Sequence, residues 1–135
     1  MCESLKEIKI PNSVITIESN AFNSCSNLEK VINLSKIELL EEGVFSLCIS
    51  LKEINIPDSV KSIEKIAFFS CKMLKEIKLP KLLESIGEIA FQNCESLKRI
   101  EFSSILFVLI IYFLLIKVHQ FQCFLFQQSN IMLFL

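Results

Sequence analysis

The sequence predicts a repeat solenoid of the α/β type, in which coils of 23 residues form a parallel sheet of short strands joined by short helical turns. Two observations predict this fold class: cysteines recur every 23 residues, and several apolar columns repeat in phase with them. The phase is lost after Phe102, which marks the end of the predicted solenoid. A fixed period of roughly 20–50 residues is typical of repeat architectures. The cysteines of the column are Cys2, Cys25, Cys48, Cys71 and Cys94.

The first half of each repeat predicts a short strand. A leucine follows each cysteine by three residues, and after two further residues polar and apolar positions alternate, as from Glu53 to Ile56. Because alternate residues of a strand lie on opposite sides of its sheet, the apolar side chains share the inner side. The proline that follows, as at Pro57, ends the strand because it has no N–H to donate.

The second half combines another short extended or turning segment with a helical turn. The spacing of Val60 and Ile63 suits the extended or turning segment, and the spacing from Ala67 to Cys71 fits one helical turn. A single coil cannot bury its own apolar side, so coils must stack, at roughly 4.8 Å. The second coil is degenerate because it lacks the proline and places Asn33 in an apolar column. The predicted solenoid spans residues 2–102, with complete coils 2–24, 25–47, 48–70 and 71–93 and a partial coil 94–102.

The repeat resembles the BspA-like (Treponema-type) leucine-rich repeats over residues 2–102. One difference is the glycine that often follows the second isoleucine in that family, which is present here only as Gly87. The resemblance implies a right-handed leucine-rich-repeat solenoid that acts as a binding scaffold, associated with cell surfaces, adhesion and host contact. The matching residues are the segment Leu51-Lys-Glu-Ile-Asn-Ile-Pro-Asp-Ser-Val60, followed by Ile63, Ala67, Phe68 and Cys71.

The cysteine column predicts core packing rather than a metal or disulfide site. Metal ligands must converge on one point, whereas a ladder with one thiol per coil does not converge. Adjacent coils bring cysteines within disulfide range, but side chains in a parallel stack point the same way. We therefore expect Cys2, Cys25, Cys48, Cys71 and Cys94 to be a structural ladder of buried thiols that act as small apolar side chains, with no cofactor and no metal.

The outward positions of the predicted strands form the candidate partner-binding face. A solvated face of mixed charge would show the same pattern, and this alternative stays open. The formal net charge of −1 gives no bulk electrostatic reason to expect nucleic acid, so we expect a protein partner whose identity the sequence does not give. A mostly basic stripe beside the face, formed by Lys6, Glu29, Lys52, Lys75 and Lys98, favours acidic partners or anionic lipid headgroups. The candidate face residues are Glu7, Lys9, Lys30, Glu53, Asn55, Glu76, Lys78 and Arg99.

Catalytic motifs are absent from the sequence. His119 is the only histidine, so zinc and triad chemistry lack their usual groups. The sequence contains no glycine-rich phosphate loop and no nucleophile elbow. We therefore expect a protein that is not an enzyme.

Residues 103–135 form a hydrophobic tail outside the repeat. Residues 102–118 are a candidate transmembrane helix of roughly 25 Å, at the short limit for a bilayer. Three interpretations stay open: a membrane anchor, a run-on from a truncated gene or unspliced intron, and a hydrophobic helix that caps the open end of the solenoid. The tail and the family resemblance favour a cell-surface or membrane-associated location, although the first residues do not form a secretory signal.

The repeat and the missing catalytic groups together predict a non-catalytic protein-interaction or adhesion module. The alternative is a truncated or membrane-anchored repeat fragment with no binding activity of its own.

Overall fold

A computed structural model describes residues 2, 4–101 and 132–134 of the chain. Successive coils stack and contribute parallel strands to two ladders, one formed by the first strand of each coil and one by the second. The first strands are β1 (Glu7–Lys9), β2 (Lys30–Ile32), β4 (Glu53–Ile54), β6 (Glu76–Lys78) and β8 (Arg99–Glu101), the second strands are β3 (Leu39–Leu40), β5 (Ser62–Ile63) and β7 (Ser85–Ile86), and β9 (Met132–Phe134) is the last strand in the chain.

The register between consecutive coils confirms the 23-residue unit. Glu7 pairs with Lys30 in the first ladder, and Ser62 pairs with Ser85 in the second. The second ladder runs without interruption from β3 through β5 to β7. The first ladder is hydrogen-bonded from β1 through β2 to β4 and again from β6 to β8, and it is interrupted between β4 and β6.

The end of the chain contributes a further strand to the first ladder. β9 pairs in parallel with β8, and the register joins Arg99 to Met132. The rest of the tail, including the candidate helix 102–118, lies outside the described residues. Within the part of the chain that is described, no helix is long and apolar enough to cross a membrane.

The Ala-Phe-x-x-Cys segments form consecutive turns rather than the predicted helical turns, and the described residues include no helix. In the first coil, the N–H groups of Asn23 and Cys25 donate to the carbonyl three residues earlier. The N–H groups that alternate with these, on Phe22 and Ser24, donate instead to the next coil. A helix needs every successive N–H for bonds within the segment, and the φ of 60° at Asn20 and Ser24 is left-handed. Coil stacking therefore takes the donors that a helix would use.

The core is one continuous cluster built from the repeated apolar columns. In the phenylalanine column, ring centroids lie 5.5, 5.6 and 5.2 Å apart from Phe22 to Phe91, with interplanar angles of 5°, 21° and 4°. Near-parallel rings at this separation are in offset-stacked contact, which is favourable between aromatic side chains. The stack therefore couples each coil to its neighbours through the centre of the solenoid. Its members are Phe22, Phe45, Phe68 and Phe91.

The degenerate second coil replaces the usual Ile-Pro pair with Asn33 and Leu34. Asn33 has a φ of 69°, a left-handed conformation that asparagine tolerates better than most residues. Its Nδ2 donates to the carbonyl of Ile10 and to Oδ1 of Asn12, both at 2.7 Å. Leu34, the next residue, is only 3% exposed. The coil keeps its core because the apolar position is displaced by one residue.

Candidate partner-binding face

The candidate face residues named from the sequence are all exposed on the first ladder. Glu53 illustrates the arrangement, because it is exposed while its strand neighbour Ile54 is buried. Asn55 follows β4 directly instead of lying within it. The structure thus brings these side chains together on one outer surface, as two columns that run across the coils.

Ion pairs join neighbouring coils on this face. Lys30 Nζ lies 4.0 Å from Glu53 Oε1, and Arg99 Nη1 lies 3.8 Å from Glu76 Oε2. Arg99 also pairs with Glu101 at 2.8 Å. These side chains are well exposed, so each pair contributes roughly 0–1 kcal/mol. Further pairs of the same coil-to-coil spacing are Glu29–Lys52, Glu38–Lys61, Asp58–Lys81 and Lys72–Glu95.

A shallow groove of about 350 Å³ opens on the face where the first ladder is interrupted. Its walls include Glu53 on β4 and Glu76 on β6. Along this column of face residues, Lys30 is followed by Glu53 and Glu76 by Arg99, so each of these two neighbouring pairs has opposite charges. The neighbours between the two pairs, Glu53 and Glu76, are both negatively charged, and we call them the like-charged step. Like charges on neighbouring strands are destabilising. The repulsion therefore coincides with the break in strand pairing, and the groove is open to solvent.

The basic stripe lies beside this groove, and its backbone continues the coil stacking. The N–H of Lys75 donates to the carbonyl of Lys52, and that of Lys98 to the carbonyl of Lys75. Lys52 also binds Glu29, with 2.5 Å between Nζ and Oε2. This hydrogen bond, assisted by the lysine charge, lowers the pKa of the Glu29 carboxyl. One lysine of the stripe is therefore neutralised within the protein.

In the cysteine column, four thiols are buried and Cys2 is exposed. Cys2 departs from the expected burial because it lies in the first coil, where the described residues include no earlier coil to cover it. The buried thiols also form hydrogen bonds that the sequence did not indicate. Each Sγ of Cys48, Cys71 and Cys94 donates, at 3.2 Å, to the carbonyl of the phenylalanine 26 residues earlier in the chain. The thiols thus connect coils in addition to filling the core.

Burial makes the inner thiols poor nucleophiles. Desolvation raises the pKa of Cys48 to about 12, and burial raises that of Cys94 to about 12 as well. Desolvation also raises the pKa of Cys71 well above the usual value of a thiol. A thiol reacts and binds metal as the thiolate, which these sites disfavour. No group of three or more metal-ligating side chains occurs within the described residues, and His119 lies outside them.

Two features of the face were missed by sequence reasoning. The ion pairs had a detectable signal, because opposite charges recur 23 positions apart along the chain, as at Lys30 and Glu53. The groove had a weaker signal in the sequence, which is the like-charged step from Glu53 to Glu76. The loss of strand pairing that accompanies this step depends on backbone geometry and has no sequence signature.

Comparison with known proteins identifies one matching repeat family and several similar solved structures. A family model described as the BspA type leucine rich repeat region matches residues 1–112 in six copies. No curated protein matches. A leucine-rich cell surface protein from Faecalibacterium prausnitzii is 35% identical over 73% of this chain and 32% of that one, with a TM-score of 0.64.

Two other solved structures are similar to this chain. A leucine-rich repeat protein from Bacteroides ovatus is 31% identical over 74% of this chain and 32% of that one, with a TM-score of 0.65. The pneumococcal vaccine antigen PcpA is 30% identical over 72% of this chain and 24% of its own, with a TM-score of 0.65. This chain therefore spans about a third or less of the length of these three structures.

Proposed function

Since the chain belongs to the BspA-type leucine-rich-repeat family, we propose that it is a non-catalytic protein-interaction or adhesion module whose outer face on the first ladder contacts a protein partner. The observation that supports this most directly is the groove between β4 and β6, where charged side chains line an open interruption of the sheet. Solenoids use such extended faces as binding surfaces. The cell surface protein of F. prausnitzii and the vaccine antigen PcpA support a surface location for the whole protein.

The absence of catalysis is part of the same proposal. The buried thiols have raised pKa values, which work against nucleophilic chemistry. The charged groups of the face stand in solvent, where they are poorly placed for the desolvated acid–base chemistry of an active site. Binding by surface charge and shape remains the activity that suits this arrangement.

A matched pair of triple variants tests the proposal. The face variant neutralises two carboxylates and one lysine beside the groove (Glu53→Gln, Glu76→Gln, Lys78→Gln). The control variant neutralises two carboxylates and one lysine that immediately precede the strands of the second ladder (Glu38→Gln, Lys61→Gln, Glu84→Gln). Both variants are checked for native-like circular dichroism and thermal unfolding.

Each chain is then applied to an array of purified extracellular protein domains that includes this chain itself. We expect the native chain and the control variant to bind the same array member, and the face variant to lose it. Equal binding by all three chains, or no binding by the native chain, would refute a role for this face.

The second candidate is a membrane-anchored repeat fragment without binding activity. The apolar composition of residues 102–118 favours it. Alkaline carbonate extraction of membranes from expressing cells distinguishes the two. Retention in the membrane fraction, together with no array partner, would support the anchored fragment, and release into the soluble fraction would oppose the anchor.

A further inference from the structure

The acidic groups of the sheet face are largely used by bonds within the protein. Glu29 pairs with Lys52, and Glu53 pairs with Lys30. Glu76 and Glu101 both pair with Arg99. These carboxylates are therefore engaged by cations of the same protein, and several lysines of the face and of the basic stripe are left without an ion pair.

Two of these lysines, Lys6 and Lys9, lie at the β1 end of the first ladder. The other three lie together on the coils of β6 and β8, and they are Lys75, Lys78 and Lys98. All three side chains are exposed, and no described carboxylate lies within ion-pair distance of them. Lys75 and Lys98 occupy the same column, where the N–H of Lys98 donates to the carbonyl of Lys75 at 2.9 Å. Their backbones are therefore one strand spacing apart, about 4.8 Å. Lys78 lies on β6 and contributes to the wall of the groove.

We propose that these three lysines recognise an acidic segment of the protein partner, one that presents aspartate or glutamate side chains to the face beside β6 and β8. This proposal rests on the proposed function, because it names the kind of partner that the face binds. The argument is charge complementarity: three neighbouring cations that form no ion pair within the protein attract groups of opposite sign. Charges of this kind steer encounter and select partners more than they add raw affinity.

A protein segment fits this surface better than a membrane does. Glu76 stands among the three lysines, and Glu53 lies across the groove from it. A continuous anionic plane would press negative charge against these carboxylates as well as against the lysines. A peptide presents discrete charges, so it can place carboxylates at the lysines and neutral groups at the glutamates. The surface therefore favours a partner with spaced acidic groups.

The test uses the full chain and a fluorescent peptide of alternating glutamate and serine, with glutamine replacing glutamate in the control peptide. The lysine variant is Lys75→Gln, Lys78→Gln, Lys98→Gln. The matched control removes three lysines elsewhere (Lys36→Gln, Lys65→Gln, Lys81→Gln). Association and dissociation rates are measured at two salt concentrations. Vesicles that contain phosphatidylserine and a sulfated polysaccharide are tested in parallel.

We expect the native chain to bind the acidic peptide and not the glutamine peptide. The lysine variant should bind it at least about tenfold more weakly, mostly through a slower association rate, and the control variant should stay within about threefold. Binding should weaken as salt rises because exposed charges are screened. Equal binding of the two peptides, or an unchanged lysine variant, would overturn the proposal. Tighter, lysine-dependent binding of vesicles or polysaccharide would overturn the choice of a protein segment.

The two proposals fail in different ways. If an array partner is lost by the face variant but kept by the lysine variant, the binding face stands and the acidic-segment proposal fails. If the acidic peptide binds in a lysine-dependent manner but no array partner is found, the charge preference stands and the protein-binding function lacks support.

Discussion

Removing one ring from the middle of the phenylalanine stack should cost far more stability than removing one from its end. Phe68 is fully buried and stacks on two rings, Phe45 at 5.6 Å and Phe91 at 5.2 Å. A buried Phe→Ala change costs about 3–5 kcal/mol, and each lost aromatic pair is worth about 0.5–1.5 kcal/mol beyond burial. We therefore expect Phe68→Ala to lower the free energy of unfolding by about 5 kcal/mol.

Phe22→Ala is the matched control because Phe22 is only partly buried and stacks on one ring, Phe45, at 5.5 Å. Its expected cost is about 2 kcal/mol. Urea unfolding of the full chains, followed by far-ultraviolet circular dichroism, measures both values. Small domains have total stabilities of roughly 5–15 kcal/mol, so Phe68→Ala should leave the solenoid close to unfolding. If the two variants lost equal stability, the stack would not be what couples the coils.

Three further changes test the packing of the coils. Gly87→Ala should destabilise by about 1–3 kcal/mol because the added Cβ would lie 2.3 Å from the backbone nitrogen of Lys65; unchanged thermal unfolding would show that the coils separate freely there. Asn33→Gly keeps the left-handed conformation but removes three hydrogen bonds, two donated by Nδ2 and one accepted by Oδ1 from Ser35, so we expect a loss of about 1–2 kcal/mol in urea unfolding; no loss would mean that these bonds contribute nothing to stability. Burial raises the pKa of Cys48 from 9.0 to about 12, so the folded state keeps a proton that the unfolded chain releases. The stability from this thiol is therefore present below pH 9 and lost as pH rises towards 12, at about 1.4 kcal/mol per pH unit. The free energy of unfolding should therefore fall less steeply with pH in Cys48→Ala than in the native chain, as measured by urea unfolding over this pH range. An identical dependence on pH would contradict the raised pKa of Cys48.

The repeat and much of the core could be predicted from the sequence. A 23-residue period with apolar columns favours stacked coils, because one coil cannot bury its own apolar side, and the strand positions and the parallel register followed from this. The exposure of the candidate face followed as well, because residues alternate across a strand. Its use in binding is a proposal, since the same alternation would expose a face that binds nothing.

Other features depended on whether a hydrogen-bond donor or acceptor bonds within its own coil or to a neighbouring coil. The spacing from Ala67 to Cys71 fits a helical turn, yet alternate N–H groups there bond to the next coil and the segment forms turns. Cys71 matched a small apolar residue, yet its thiol donates to the carbonyl of Phe45. In each case, two local solutions were open to the sequence, and contacts with another coil selected one.

The sequence by itself therefore determined the length of the coil, the residues that face inward and the family to which the chain belongs, because these properties repeat and depend only on spacing. The tertiary structure alone decided the turns in place of helices, the thiol hydrogen bonds and the interruption between β4 and β6. These features depend on which donor reaches which acceptor across about 5 Å between stacked coils, and that competition is resolved only when the coils are in contact.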